Sequence, residues 1–213
     1  MLIRPYTRRD RAIIRQLSCE TADRGEPVER FFPDREVVAD LLTNYYLERE
    51  PRSVWVAERE GRVVGYVTGC LNSRRYRWAM MWRILPGVFL TAVRRRSLWT
   101  RPTWIVMRAG VQSLSLGGFS RHVPFNRYPA HLHVNIQQGF RGQHVGRQLV
   151  EQFLHHVRAA GLHGVHVGVS EDNPRACRFF EQMGFVILSR HPIMRPSFTG
   201  GQRTSTVMYG ITV

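Results

Sequence analysis

Apolar and polar positions follow two rhythms along this chain. Runs with strand-like alternation or short apolar character cover Leu2–Pro5, Val54–Glu58, Val63–Leu71, His131–Ile136, Val165–Val169, Phe185–Leu188 and Thr206–Thr212. Glu60-Gly61 joins the second and third as a hairpin signal. Helical spacing appears after Asp34, where Val37, Val38, Leu41, Leu42, Tyr45 and Tyr46 recur on one side as far as about Arg49. It returns over 145–160, with Leu149, Val150, Phe153, Leu154 and Val157 on one face and Gly161 as the stop. Asp10 is the expected N-cap of a helix reaching about Cys19, and Pro27 and Pro33 break the chain between the first two helices. Asn173 with Pro174 starts a last helix that runs to Met183 before Gly184. The strand, helix, strand, helix, strand order of the C-terminal part predicts an α/β layer containing at least one parallel strand pair.

Residues 72–127 break this regularity. They hold Trp78, Trp82, Trp99 and Trp104, eleven arginines and no acidic residue. Helices are expected over 78–93, interrupted at Pro86-Gly87, and over 104–116. The segment reads as an insertion at about 72–127 in a single domain of 1–213. There is no internal repeat and no low-complexity tract.

Charge sharpens the picture. The 213 residues carry 31 basic side chains, all arginine, against 16 acidic ones, for a net charge of +15. Residues 61–150 contain 14 arginines and no acid, so nearly all the excess sits in that block. A hydrophobic content of 43% excludes a disordered basic tail. Cys19, Cys70 and Cys177 have no CxxC spacing, which argues against a disulfide framework or structural metal and fits a reducing, cytoplasmic setting. The N-terminus lacks the apolar run of a signal peptide. The basic block predicts an anionic partner, held by arginine forks, histidine or backbone amides, since lysine is absent.

The segment Ile136–Arg147 gives that partner a place. It leads from a strand directly into a helix, with Gly139, Gly142 and Gly146 allowing close backbone approach. The free amides and positive end of the following helix, flanked by Arg141 and Arg147, make a pyrophosphate site. It is neither a Walker loop nor a dinucleotide fingerprint, for both GK[ST] and GxGxxG are missing. Asn173-Pro-Arg-Ala176-Cys-Arg-Phe179-Phe180-Glu-Gln-Met-Gly184-Phe185 follows at a fixed distance.

These two motifs together resemble the GNAT (GCN5-related) acetyltransferase superfamily. Its cofactor loop, [RQ]xxGx[GA], is matched by Arg141 to Gly146, and its next helix by Asn173, Ala176, Phe179, Gly184 and Phe185. Tyr128–His133 with Gly164–Ser170 are similar to a bacterial subgroup related to the acetyltransferase-like domain of O-GlcNAcase. The resemblance implies a mixed, mostly antiparallel sheet with a central parallel pair splayed at the cofactor site and flanked by helices. It implies acetyl-CoA as cofactor and direct transfer of its acetyl group to an amine; the basic charge of the insertion would suit an acidic acceptor. Ile136, Gln137, Arg141, Gly142, Gln143, His144, Val145, Gly146, Arg147, Asn173, Ala176, Phe179 and Phe180 would contact the cofactor. The Ile136 amide would stabilise the oxyanion, Asn135 would share the site, and His133 is the candidate base, with Glu171 and Asp172 as weaker candidates. The sequence departs from the family twice: His144 replaces the central loop glycine, and Phe180 replaces the tyrosine that donates a proton to the leaving thiolate. Cys177, Tyr209 and Tyr128 are the other nearby proton donors considered. A monomer or homodimer is expected, without structural metal.

Three readings compete for 72–127. They are a cap over the acceptor cleft with its Trp and Leu buried, a membrane-surface element, and an arginine–aromatic nucleic-acid surface. The departures at His144 and Phe180 leave open an acyl-CoA-binding module with little turnover, and the insertion leaves open a basic membrane or nucleic-acid adaptor.

Overall fold

The computed structural model describes residues 1–30, 32, 34–116, 123–195 and 202–213. Seven strands form one sheet: β1 (Leu2–Pro5), β2 (Val54–Arg59), β3 (Arg62–Cys70), β4 (Ala130–Ile136), β5 (Gly164–Ser170), β6 (Val186–Arg195) and β7 (Gln202–Thr212), in the order β1-β2-β3-β4-β5-β7-β6. All neighbours are antiparallel except β4 and β5. That parallel pair is joined only at Ala130–Val165 and His131–His166, and beyond these residues the two strands part. A mixed sheet with one splayed parallel pair is the architecture expected from the sequence. Pro33 lies outside the described residues.

One face of the sheet is covered by α6 (Val145–Ala159) and α7 (Pro174–Gln182). Leu149, Val150, Phe153 and Val157 of α6 are fully buried against Val67, Leu132 and Val165. Removing such side chains from water is the main force holding the layer in place. Gly69 of β3 permits this packing, because a Cβ there would lie 1.9 Å from the Phe153 ring. The other face carries α1 (Arg11–Glu20) and α2 (Arg35–Arg49). Here Ile14, Leu17, Tyr45 and Tyr46 meet Val54, Val56 and Tyr66.

The caps follow the sequence with one exception. Asp34 accepts from the Val37 amide and Asn173 from the Ala176 amide, as expected. Asp10 does not cap α1. Its carboxylate receives both terminal nitrogens of Arg4 at 2.8 Å and the Thr7 amide at 2.8 Å. A bidentate charged pair is stronger than one neutral cap bond, so it wins the side chain.

The insertion lies between β3 and β4. Helix α3 (Ser73–Ala79), a π-helical turn (Met80–Ile84) and α4 (Leu85–Arg94) run on without a break, and α5 (Arg101–Ser115) follows. Pro86-Gly87 therefore does not interrupt the first helix. Proline lacks the amide that an unbroken α-helix would need there, and the wider π turn just before it absorbs the mismatch. The expected burial of the tryptophans fails too, since Trp78, Trp82, Trp99 and Trp104 are all more than half exposed.

Candidate active site

A cavity of about 510 Å³ opens where β4 and β5 part. Val134, Asn135 and Ile136 of β4 form one wall, the turn into α6 the floor, and Asn173 to Met183 the opposite wall. Strand alternation decides what β4 offers. The Gln137 amide donates to the Val64 carbonyl of β3, so Ile136, opposite Gly65, is a non-hydrogen-bonded pair. Its N–H therefore turns toward the gap, where the oxyanion donor was expected. Its carbonyl accepts from Arg141 Nε at 3.0 Å.

The turn into α6 needs two left-handed residues, Gly142 at φ +81° and His144 at φ 60°. Gly142 takes this conformation freely, whereas His144 does so against the preference of a residue with a Cβ. His144 is the N-cap of α6 and makes no side-chain capping bond, which leaves the first-turn amides directed at the cavity. Gly146 lies under the Phe179 ring, which a Cβ would meet at 3.4 Å.

Five arginines line the cavity, Arg24, Arg141, Arg147, Arg175 and Arg178, and no acidic side chain does. With the amides and positive end of α6 they form a cradle for a polyanion. Arg141, however, is turned to the protein. Besides its bond to Ile136 it donates to the Gly25 carbonyl at 2.8 Å, so it ties the end of β4 to the loop after α1. Burial and the neighbouring Arg175 lower its pKa from the usual arginine range. Arg147 pairs with Glu151 across one turn of α6 at 2.9 Å.

Most of the expected cofactor residues meet at this cavity: Ile136, Arg141, Gly142, His144, Val145, Gly146, Arg147, Asn173, Ala176, Phe179 and Phe180 all line it. Gln137 and Gln143 do not; Gln143 bonds Arg59 and the Gly139 carbonyl instead. Asn173 Oδ1 is occupied by the Ala176 amide. Thr21, Arg24, Gly25, Arg175 and Arg178 were missed. Arg175 and Arg178 stand at i, i+3 spacing in α7, a signal the sequence carried, but Arg24-Gly25 arrives only because the loop after α1 folds across.

The catalytic candidates separate. Asn135 faces the cavity and donates to Tyr66 Oη at 2.7 Å. His133, two residues back on the same β4 face, is exposed beside Tyr46, their ring centroids 5.7 Å apart. His131 is buried and shares hydrogen bonds with Tyr46 Oη and Ser73 Oγ through its two ring nitrogens, a structural role. Phe180 is 4% exposed and packs on Phe179, Phe185 and Tyr209. The Tyr209 hydroxyl donates to Glu181 at 2.8 Å, and burial with that carboxylate pushes its pKa well up. His133 does not line the cavity, and neither do Tyr209, Tyr128, Cys177, Glu171 or Asp172. Among the described residues no group of three or more His, Cys, Asp or Glu could hold a metal.

Comparison with known proteins agrees with this geometry. A family model described as the acetyltransferase (GNAT) family matches residues 91–185. A mycothiol acetyltransferase of Corynebacterium glutamicum (strain R) is 35% identical over 60 residues, which are 28% of this chain and only 20% of that relative's length. The crystal structure of a protein named SsHAT superposes with a TM-score of 0.71, covering 99% of this chain and 97% of that one at 25% identity. The fold is shared by yncA from Salmonella typhimurium, solved with its cofactor acetyl-CoA, with a TM-score of 0.59 at 16% identity over 100% of this chain and 93% of that one.

Proposed function

From the GNAT acetyltransferase family model that matches residues 91–185 and the shared fold, we propose that this chain is a GNAT acetyltransferase that binds acetyl-CoA in the cleft between β4 and β5 and transfers the acetyl group to an amine. The observation that carries this reading is the acid-free cavity, lined by five arginines and the first-turn amides of α6, at the gap where β4 and β5 part. The residues fit the cofactor. Its phosphates match the amides of 142–146 and the flanking guanidinium groups, and its amide-bearing arm matches the open edge of β4. Acetyl-CoA supplies an activated thioester.

The chain's own residues do the rest. The Ile136 amide donates to the acetyl carbonyl as negative charge grows there, which lowers the barrier most if it is already aimed. Asn135, held by Tyr66, fixes this end of β4. His133 takes the proton from the attacking amine, directly or through a water, because a strand separates it from Asn135 by only about 6.6 Å. Phe180 keeps that wall dry but has no proton to give. A thiol has a pKa of about 8.5, so its anion leaves without an acid. Transfer can therefore proceed without the family's tyrosine, so Phe180 by itself does not make this a silent binding module.

Calorimetric titration with acetyl-CoA, then thiol release over a panel of amines including acidic peptides, tests this. Micromolar-range binding and turnover on at least one amine are expected. Absence of acetyl-CoA binding would refute the proposal. With an active amine in hand, His133→Ala should lower kcat about a hundredfold or more. An unchanged kcat removes His133 as the base.

A further inference from the structure

The helices between β3 and β4 are built inside out. Apart from Ile84, their buried positions hold small side chains, Ser73 and Ala79 in α3, Ala92 in α4 and Thr103, Ala109 and Ser113 in α5. Their large apolar side chains face water. Along 73–94, Trp78, Trp82, Leu85 and Phe89 recur at helical spacing and are exposed, Trp82 by 67% and Phe89 by 60%. Along α5, Trp104, Met107, Val111 and Leu114 do the same, Trp104 by 62% and Val111 by 65%. Their 3-4-3 spacing is that of a seam, which in a folded protein faces a partner. The inner side of α4 rests on α2, where Val88 and Ala92 meet Val37 and Val38, and α5 touches the same cluster through Val106 and packs on β6, where the Met194 amide donates to Ser113 Oγ, so the large apolar side chains of both helices are displayed outward. Few soluble proteins leave so much large apolar surface uncovered without a use for it.

Charge identifies the occupant. Nine arginines lie between residues 74 and 108, within a block that has no acidic residue. All nine are exposed, and Arg83 sits over the Trp78 ring at 5.9 Å, so guanidinium groups and apolar side chains share one surface. A second copy of this chain would bring arginine against arginine across a twofold axis. A nucleic acid would answer the arginines but leave Met107, Val111 and Leu114 in water, since its interfaces are polar. An anionic phospholipid surface satisfies both features at once. Apolar side chains enter the boundary between headgroups and acyl chains, tryptophans sit at that depth, and arginines reach the phosphates. Among the described residues no helix is long and apolar enough to cross a membrane, which suits helices lying in its plane. We propose that the displayed faces of α3–α4 and α5 dock this protein on anionic membranes.

The test uses the full chain with vesicles of phosphatidylcholine alone or mixed equally with phosphatidylglycerol. Co-sedimentation and a blue shift of tryptophan emission are read at low and high salt. Binding is expected to the mixed vesicles, to weaken as salt rises, and to be weaker on the neutral ones. The W82S/F89S/W104S variant changes exposed positions only and should bind mixed vesicles at least about tenfold less well. Its acetyl-CoA affinity should be unchanged, because none of the three residues lines the cavity. No binding to mixed vesicles, or equal binding by the triple variant, would overturn the proposal. So would a wild-type dimer that ignores vesicles and becomes monomeric in the variant. Single-stranded DNA binding lost in the variant, with no vesicle binding, would replace lipid by nucleic acid.

Discussion

Replacing Arg141 by methionine decides between two roles for the residue that heads the cofactor loop. If its guanidinium serves only to hold phosphate, the empty protein should tolerate the change, and losing a charge beside Arg175 should if anything stabilise it. The geometry says otherwise. Two charged-donor bonds, to Ile136 O at 3.0 Å and Gly25 O at 2.8 Å, tie β4 to the loop after α1 across 116 residues of chain. Bonds from a charged group contribute about 1.5–3 kcal/mol each when buried. Both are only part-buried, so about 1 kcal/mol each is the fair figure, or about 2 kcal/mol in all. Methionine keeps most of the apolar stem and removes the donors. For a chain of this length the loss corresponds to a fall in Tm of about 4–8 °C. Thermal or urea unfolding without ligand measures it, and calorimetry with acetyl-CoA measures the consequence for a cavity whose wall has loosened. An empty variant as stable as wild type, with weakened cofactor binding alone, would refute the clamp and restore the phosphate ligand.

Phe180→Tyr should raise kcat for any accepted amine by about threefold to tenfold, less than a general acid usually gives because the thiol leaves readily; steady-state kinetics that show no gain, with unchanged acetyl-CoA affinity, would place this ring away from the thiol. Hydrogen bonding from Arg4, then from Thr7, lowers the Asp10 pKa to about 2, below its unfolded value of about 3.9. Its stabilisation is therefore complete above about pH 4 and fades as pH falls toward 2; Asp10→Asn should cost about 1–2 kcal/mol near pH 6 and progressively less on acidification, and a gap that widens in acid would contradict this assignment. Gly69→Ala should destabilise by about 3 kcal/mol, because its Cβ meets a fully buried ring at 1.9 Å; urea unfolding should show partial recovery when Phe153→Leu is added, and additive losses would mean the two side chains do not collide.

Local rules made much of this fold legible. The alternation over β4 and β5, the amphipathic stripe of α6 and the Asn173-Pro174 start of α7 depend on residues within a few positions of one another, so they can be read in order along the chain. The two motifs placed the cofactor loop for the same reason: three glycines and a helix start form a site largely by themselves. Long-range competition is where the sequence fell short. Asp10 looked like a cap, but Arg4, only six residues back, claims its carboxylate once β1 and the turn at Thr7 are in place. Arg141 looked like a phosphate ligand because the carbonyl that claims it belongs to Gly25, far away in sequence. The resemblance implied that β4 and β5 form a parallel pair splayed at the cofactor site, and the tertiary structure shows where: they pair at two positions and then part, with the Ile136 amide turned into the gap.

The insertion shows the division most clearly. Composition showed that 72–127 is basic and rich in tryptophan, and the pattern predicted helices over 78–93 and 104–116. Which side of those helices faces the protein was not contained in their periodicity, because a hydrophobic stripe marks a face to be covered and does not say by what. Packing settled it: Val37 and Val38 of α2 meet Ala92, Val88 and Val106, while Trp78, Trp82, Phe89 and Trp104 are left exposed. Local pattern was enough to locate most of the elements and the loop proposed to hold an anion. The fold decided which arginines stay free to hold it and which apolar face is left for something outside the chain.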